Sequence, residues 1–257
     1  MNILLTNDDG INSEGLQKLA RVLRLRGKHR VIVLAPETNR SGVSHALSIF
    51  TQPVKVSAID EDTFICSGTP ADCVVVALQG AIQVKPDIVI SGINCGANSG
   101  TDIVYSGTAA AARQASLQGV PALAISLTGS GPYNWDMAAS WSVDHLDELL
   151  THWKEHCFVN VNIPGSVSGP EGIAVTWPAI KSYSDKLSFK KTFDGSTWCF
   201  LDAGKDVPMP EAGSDCDVLS RNFASISSVY NFPVVIKDLC PGAPNRAAVQ
   251  ERIKKQK

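Results

Sequence analysis

The chain has 257 residues, 44% of them hydrophobic and 19% charged, a composition ordinary for one large folded domain. Its formal net charge of −2 excludes the broad basic field that nucleic-acid duplexes and anionic membranes select, and no apolar run approaches the length of a membrane span. Its cysteines, at 66, 73, 95, 157, 199, 216 and 240, are odd in number and lack CxxC spacing, which suits buried thiols in a reducing compartment better than a disulfide frame.

Met1-Asn2-Ile3-Leu4-Leu5 reads as a short buried strand, and Asp9-Gly10 as the turn that ends it. No basic or signal-like segment precedes that strand, so the cytoplasm is the expected location. Ser13 is placed to cap a helix over 14–25, with Leu16, Leu19, Ala20 and Leu23 on one stripe and Gly27 closing it. The β-branched run over 30–35 is a strand buried on both faces. Phe64-Ile65-Cys66 leads to Thr69-Pro70, an N-cap followed by proline at the first helical position, and a helix over 71–78.

The alternation continues. A strand over 87–91 is followed by a glycine-rich loop, a helix over 108–118, a strand over 122–125, a long helix over 135–156 and a strand over 158–163. Strands and helices that alternate in this way predict an α/β fold, a doubly wound, mainly parallel Rossmann-like sheet. After Pro164 the helical stripes stop, and extended runs at 172–177 and 197–201 read as a projecting β-hairpin or C-terminal arm. Trp177, Phe193, Trp198 and Phe200 on such an arm would cover either a partner subunit or the protein's own sheet. The expected division is a catalytic core over 1–164 and an extended region over 165–257 that is not an independent domain. The basic stretch at 252–257 reads as a solvated tail.

Ligands of open α/β sheets bind outside the carboxyl ends of the strands. Three loops at such ends carry unusual residues. The first holds Asn7, Asp8 and Asp9, the second runs from Pro36 through Arg40-Ser41-Gly42 to Ser44, and the third spans Ser91-Gly92-Ile93-Asn94 to Asn98. An Asp-Gly pair alone is an ordinary turn, but two adjacent carboxylates repel unless a cation or proton lies between them. The donors are all oxygen, with no His or Cys cluster, which selects a hard cation such as Mg²⁺ or Mn²⁺. Ser106-Gly107-Thr108 opens the helix of Ala109 to Ala112; taken alone it reads as an ordinary Ser/Thr cap, and the unpaired N–H groups there also offer an anion site. A hard-metal set and a phosphate cradle at one sheet edge point to metal-dependent phosphate-ester chemistry.

Together these segments resemble the SurE family of metal-dependent nucleotide phosphatases. The matching blocks are Ile3-Leu4-Leu5-Thr6-Asn7-Asp8-Asp9-Gly10 with Gly15, Ala35-Pro36 with Ser41-Gly42, Ser67-Gly68-Thr69-Pro70-Ala71-Asp72, Ser91-Gly92-Ile93-Asn94 with Gly96 and Asn98, and Tyr105-Ser106-Gly107-Thr108. A looser echo is Ser214-Asp215-Cys216-Asp217. The resemblance implies one divalent metal per subunit held by Asp8, Asp9, Ser41 and Asn94, and a dimer or tetramer that exchanges C-terminal arms. It implies a phosphoric monoester hydrolase acting on nucleoside 5′- or 3′-monophosphates. Asp8, Asp9, Asn98, Ser106, Gly107 and Thr108 would then form the catalytic set, with Asn7, Asn98, Ser106 and Thr108 contacting substrate. The plain Ala109 to Ala112 run, Gln114-Ala115 and Ser48 depart from the family's usual residues without removing a ligand. The alternatives are an aspartyl-phosphate phosphatase, which would favour Asp-x-Asp spacing, and a nucleotide-binding regulator that catalyses nothing.

Overall fold

The computed structural model describes residues 1–129, 131–202, 204, 207–209 and 211–232; Cys240 and the basic stretch at 252–257 lie outside them. In chain order the elements are β1 (Asn2–Thr6), α1 (Glu14–Arg26), β2 (Arg30–Pro36), β3 (Val56–Asp60), β4 (Thr63–Cys66), α2 (Pro70–Val76), β5 (Ile88–Cys95), α3 (Gly107–Leu117), β6 (Ala122–Leu127), α4 (Trp135–Asp144), α5 (Leu146–Thr151) and β7 (Cys157–Ile163). Then follow β8 (Ile173–Val175), β9 (Ile180–Ser182), β10 (Lys186–Lys191), β11 (Thr197–Asp202), β12 (Val207–Met209), α6 (Asp215–Ser220) and β13 (Ala224–Tyr230). One nine-stranded sheet has the order β3-β4-β2-β1-β5-β6-β7-β13-β8. It is parallel from β4 to β7, and β3 and β13 run antiparallel to β4 and β7.

The apolar runs follow from burial on both faces. Ile3 and Leu5 of β1 join the cluster that holds Leu16, Leu19 and Leu23 of α1, while Leu4 joins the cluster on the opposite face with α2 and α3. Val31 and Val33 alternate with Ile32 and Leu34 in the same way on β2. Helix α3 is pressed onto its face by small side chains: Ala109, Ala111, Ala112 and Ala115 are all fully buried. A plain alanine run therefore brings the helix backbone close to the sheet.

Several elements differ from the sequence-based expectation. The helix predicted over 135–156 is two helices that meet at His145, whose ring stacks on Trp141 and whose Nδ1 lies 2.8 Å from the Trp141 carbonyl oxygen. Strand β5 extends through Cys95, so Asn94 stands on a strand end paired with Ser126 of β6 rather than in a free loop. The run at 172–177 does not belong to the arm. It contributes β8, which pairs in parallel with β13 and completes the main sheet. Trp177 lies against Gly213 and donates to Glu211 at 3.3 Å. The hairpin itself is β10 with β11, every residue of which is exposed, including Phe189, Trp198 and Phe200; Phe193 is exposed at its tip. No helix among the described residues is long and apolar enough to cross a membrane.

One buried carboxylate pins the second site loop. Asp72, in the first turn of α2, forms a reciprocal capping box with Thr69. It also accepts from the Ser48 hydroxyl, from Ser48 N–H at 3.0 Å and from Ile49 N–H at 3.2 Å. Burial alone would raise its pKa, but the hydrogen bonds from Ser48, Thr69 and Ile49 together hold it below the usual carboxylate value. With a folded pKa below the unfolded one, the stabilisation is present above the unfolded value of about 3.9 and is lost as pH falls through the folded value. Asp72→Ala leaves several buried donors without an acceptor and should cost about 3 kcal/mol or more, measured by urea unfolding at neutral pH. The difference from wild type should shrink in the acid range.

Candidate active site

Strand order reverses between β1 and β5: the chain passes from β1 outward to β2 on one side and returns through β4 to β5 on the other. The carboxyl ends of these two strands form the crevice where such sheets bind ligands. Thr6 of β1 pairs with Ser91 of β5, so Asp8 and Asp9 leave the sheet beside the continuing end of β5.

The turn that holds the two carboxylates is built by Asn7. Its amide donates to Gly10 O at 3.0 Å and to the Ser13 hydroxyl at 2.6 Å, and its Oδ1 accepts from Gly10 N–H at 3.2 Å. Asn7 is fully buried. The expectation that it touches substrate is therefore corrected: its amide shapes the turn. Ser13 is also redirected, since its hydroxyl serves Asn7 and makes no cap bond to α1.

Asp8 is 3% exposed and faces the N-terminus of α3. Its Oδ2 accepts from Gly107 N–H at 3.1 Å, and its Oδ1 from the Thr108 hydroxyl at 2.5 Å. A Cβ on residue 107 would stand 2.7 Å from the Asp8 Cβ, so glycine is required for this approach. Burial raises the Asp8 pKa against the bonds from Thr108 and Gly107, which lower it. Asp9 accepts from Cys95 N–H at 3.2 Å. Its pKa is raised by burial first and then by the charge of Asp8.

The other two expected ligands approach through the backbone. Arg40 N–H donates to Asp8 O at 2.6 Å, which lays the 39–41 turn against Asp8, and Ser41 N–H is held by Asn39 Oδ1 at 2.7 Å. Asn94 immediately precedes Cys95, the residue bonded to Asp9, and its amide is oriented by Gly96 O at 2.9 Å. Asp8, Asp9, Ser41 and Asn94 thus reach one sheet edge from two loops and the end of β5. The His45 ring lies 2.8 Å from Gln114 Oε1 and ties the second loop to α3; burial first, then the nearby Arg113 charge, lowers its pKa.

Asn98 is 7% exposed and clamped. Its N–H donates to Asn162 Oδ1 at 2.8 Å, its amide to the Ser126 hydroxyl at 2.9 Å, and its carbonyl accepts from Asn160 and Asn162. Asp215, fully buried, holds the same loop by accepting from Gly100 N–H at 2.6 Å and from Ala179 N–H at 2.9 Å. Ser126, Asn160, Asn162 and this role of Asp215 were not anticipated. The signal was the asparagine at alternate positions of an otherwise apolar strand, which puts both on one face.

The residues fit a hard cation. Two adjacent carboxylates sit half-buried or deeper, and no Lys, Arg or His among the described residues forms an ion pair with either. No group of three or more His, Cys, Asp or Glu side chains able to hold a metal occurs among the described residues, so any ion here rests on hydroxyl and amide oxygens besides the carboxylates. Ser106 is the N-cap of α3, its hydroxyl accepting from Ala109 N–H at 2.9 Å.

Fold and site together define a doubly wound α/β protein with an acidic, oxygen-lined site at the switch point of its sheet. The family profile described as survival protein SurE matches residues 3–185. The chain is 39% identical over 233 residues to 5′-nucleotidase SurE of a Cyanothece species, covering 86% of this chain and 84% of that protein. It is 36% identical over 233 residues to 5′-nucleotidase SurE of Geobacter metallireducens, covering 90% and 91%. The crystal structure of the SurE protein from Aquifex aeolicus superposes with a TM-score of 0.78 at 32% identity, covering 100% of this chain and 99% of that one. The chain belongs to the SurE family.

Relief of the repulsion between Asp8 and Asp9 should be measurable without any substrate. Mg²⁺ or Mn²⁺ at about one hundred times its Kd should add about 2.7 kcal/mol, a rise in melting temperature of roughly 5–10 °C for a chain of this size. Asp9→Asn should abolish that rise while leaving the metal-free melting temperature no lower than that of wild type.

Proposed function

We propose that this protein is a divalent-metal-dependent phosphomonoesterase that hydrolyses nucleoside 5′-monophosphates, with nucleoside 3′-monophosphates as further substrates. One observation carries the reading: of two adjacent carboxylates with no cationic partner among the described residues, Asp8 meets the N-terminus of a buried helix at the switch point of the sheet. The names of the relatives, 5′-nucleotidase SurE, support the nucleotide class.

Asp8, Asp9, Ser41 and Asn94 would hold one Mg²⁺ or Mn²⁺ per subunit. Bound there, the ion supplies a Lewis acid for the phosphoryl oxygens and lowers the pKa of a water. Thr108 and Gly107 fix the Asp8 carboxylate, which leaves Ser106 and Asn98 to contact the non-transferring oxygens. Ser126, Asn160 and Asn162 hold Asn98 in place at this edge. The adjacency of Asp8 and Asp9 disfavours an aspartyl-phosphate mechanism, in which Asp-x-Asp spacing lets nucleophile and acid flank the phosphorus.

We further propose that the exposed apolar hairpin of β10 and β11 mediates self-association into a dimer or tetramer. The free thiols of Cys66, Cys73, Cys95, Cys199 and Cys216 support a cytoplasmic location.

Phosphate release from a panel of nucleoside monophosphates, with Mg²⁺ or Mn²⁺ and with chelator, tests the activity. Release that depends on the metal is expected; no release, or release unaffected by chelator, contradicts the proposal. Thr108→Val removes the hydroxyl that orients Asp8 and should lower kcat/KM about 10- to 100-fold, the range typical of groups that orient a metal ligand. Thr108→Ser should restore most of it.

A further inference from the structure

A fourth loop ends at the same sheet edge and belongs to none of the blocks discussed so far. It follows β6, the neighbour of β5, and leads into α4. The register brings it against the site: Asn94 pairs with Ser126 and Cys95 with Leu127, and Gly96 N–H donates to Leu127 O at 2.9 Å. Tyr133 and Trp135 stand at its far end, both partly exposed.

Their rings stack with centroids 5.1 Å apart and planes inclined by 30°. The Tyr133 hydroxyl is anchored to Gly129 O at 2.7 Å. Trp135 is backed by α1 at Gly15, where a Cβ would lie 2.9 Å from the indole and 2.1 Å from the Ile93 carbonyl oxygen. The stack is thus fixed from behind by the core and from the side by its own loop. The Ile93 carbonyl that meets the same point of Gly15 belongs to the residue before Asn94, so the stack stands beside the site.

A rigid aromatic ring beside a phosphate-ester site serves no phosphoryl chemistry, since it offers neither charge nor a free proton. It does offer a flat apolar surface. Purine and pyrimidine bases stack on such surfaces whatever their hydrogen-bonding edges, which gives affinity without sequence-like selectivity. We infer that the Tyr133–Trp135 stack is the platform on which the substrate's nucleobase rests, so that this loop confers the preference for nucleotides over phosphate esters lacking a base. The inference rests on the phosphomonoesterase reading above.

The test compares one base-bearing and one base-free substrate: adenosine 5′-monophosphate and ribose 5-phosphate, which share the phosphate and the sugar. Tyr133→Ala should raise KM for the nucleotide about tenfold, in line with the loss of one base–aromatic stack, and leave kcat and the ribose 5-phosphate kinetics unchanged. Tyr133→Phe, which keeps the ring, should retain wild-type KM for the nucleotide. An equal change on both substrates would make Tyr133 a support of the metal site and overturn the inference, as would an unchanged nucleotide KM. A rise in nucleotide KM for Tyr105→Ala, with none for Tyr133→Ala, would place the platform at Tyr105 and also overturn it. If wild-type protein cleaves both substrates with metal present and Tyr133→Ala leaves both unchanged, the platform fails while the phosphatase reading survives. If it cleaves neither with metal present, both fail.

Discussion

Two like charges held in one turn are the constraint on which the site depends. Asp8 and Asp9 leave β1 side by side, both partly or wholly removed from water, and no cationic side chain among the described residues is paired with them. Burial raises the pKa of both carboxylates, and the charge of Asp8 raises that of Asp9 further. The turn cannot relax to separate them, because Asn7 is locked to Gly10 and Ser13, and Asp8 is gripped by Gly107 and Thr108. A turn that holds two carboxylates in this way would be relieved by a divalent cation, which is the basis of the proposed metal site.

The rest of the architecture serves to hold that turn. Alanines along α3 let its N-terminus come within hydrogen-bond reach of Asp8, which bulkier side chains on that face would prevent. The polar row of Ser126, Asn160 and Asn162 interrupts an otherwise apolar sheet and fixes Asn98 from below. Buried polar groups are costly unless bonded, so a row like this is retained where it positions something. Asp215, from beyond the last parallel strand, ties the C-terminal region back to the same loop through Gly100. Residues far apart in sequence thereby converge on one loop of the site.

Much of this is legible without coordinates. Continuous apolar runs in β1, β2, β5 and β6 announce strands buried on both faces, and the stripe of α1 and the Thr69-Pro70 cap announce their helices, because these patterns are local. The adjacent aspartates and Ser106-Gly107-Thr108 point to an acidic site and a helix N-terminus for the same reason. What escaped depends on long-range pairing. The place of 172–177 at the sheet edge is set by β13, some fifty residues later, and the short run of β8 has no periodicity of its own. Asn7 reads as a site residue by position, yet only the closed turn shows its amide consumed. The helix expected over 135–156 breaks at His145 through a side-chain contact to Trp141, a stop that carries neither glycine nor proline to mark it.

The central claim is that Asp8, Asp9, Ser41 and Asn94 close around one hard cation. Anomalous diffraction from crystals grown with Mn²⁺ tests it most directly. The account predicts one anomalous peak per subunit in coordination contact with Asp8 and Asp9 and with the side-chain oxygens of Ser41 and Asn94. A peak ligated elsewhere, or none at a Mn²⁺ concentration that raises the melting temperature, would contradict it.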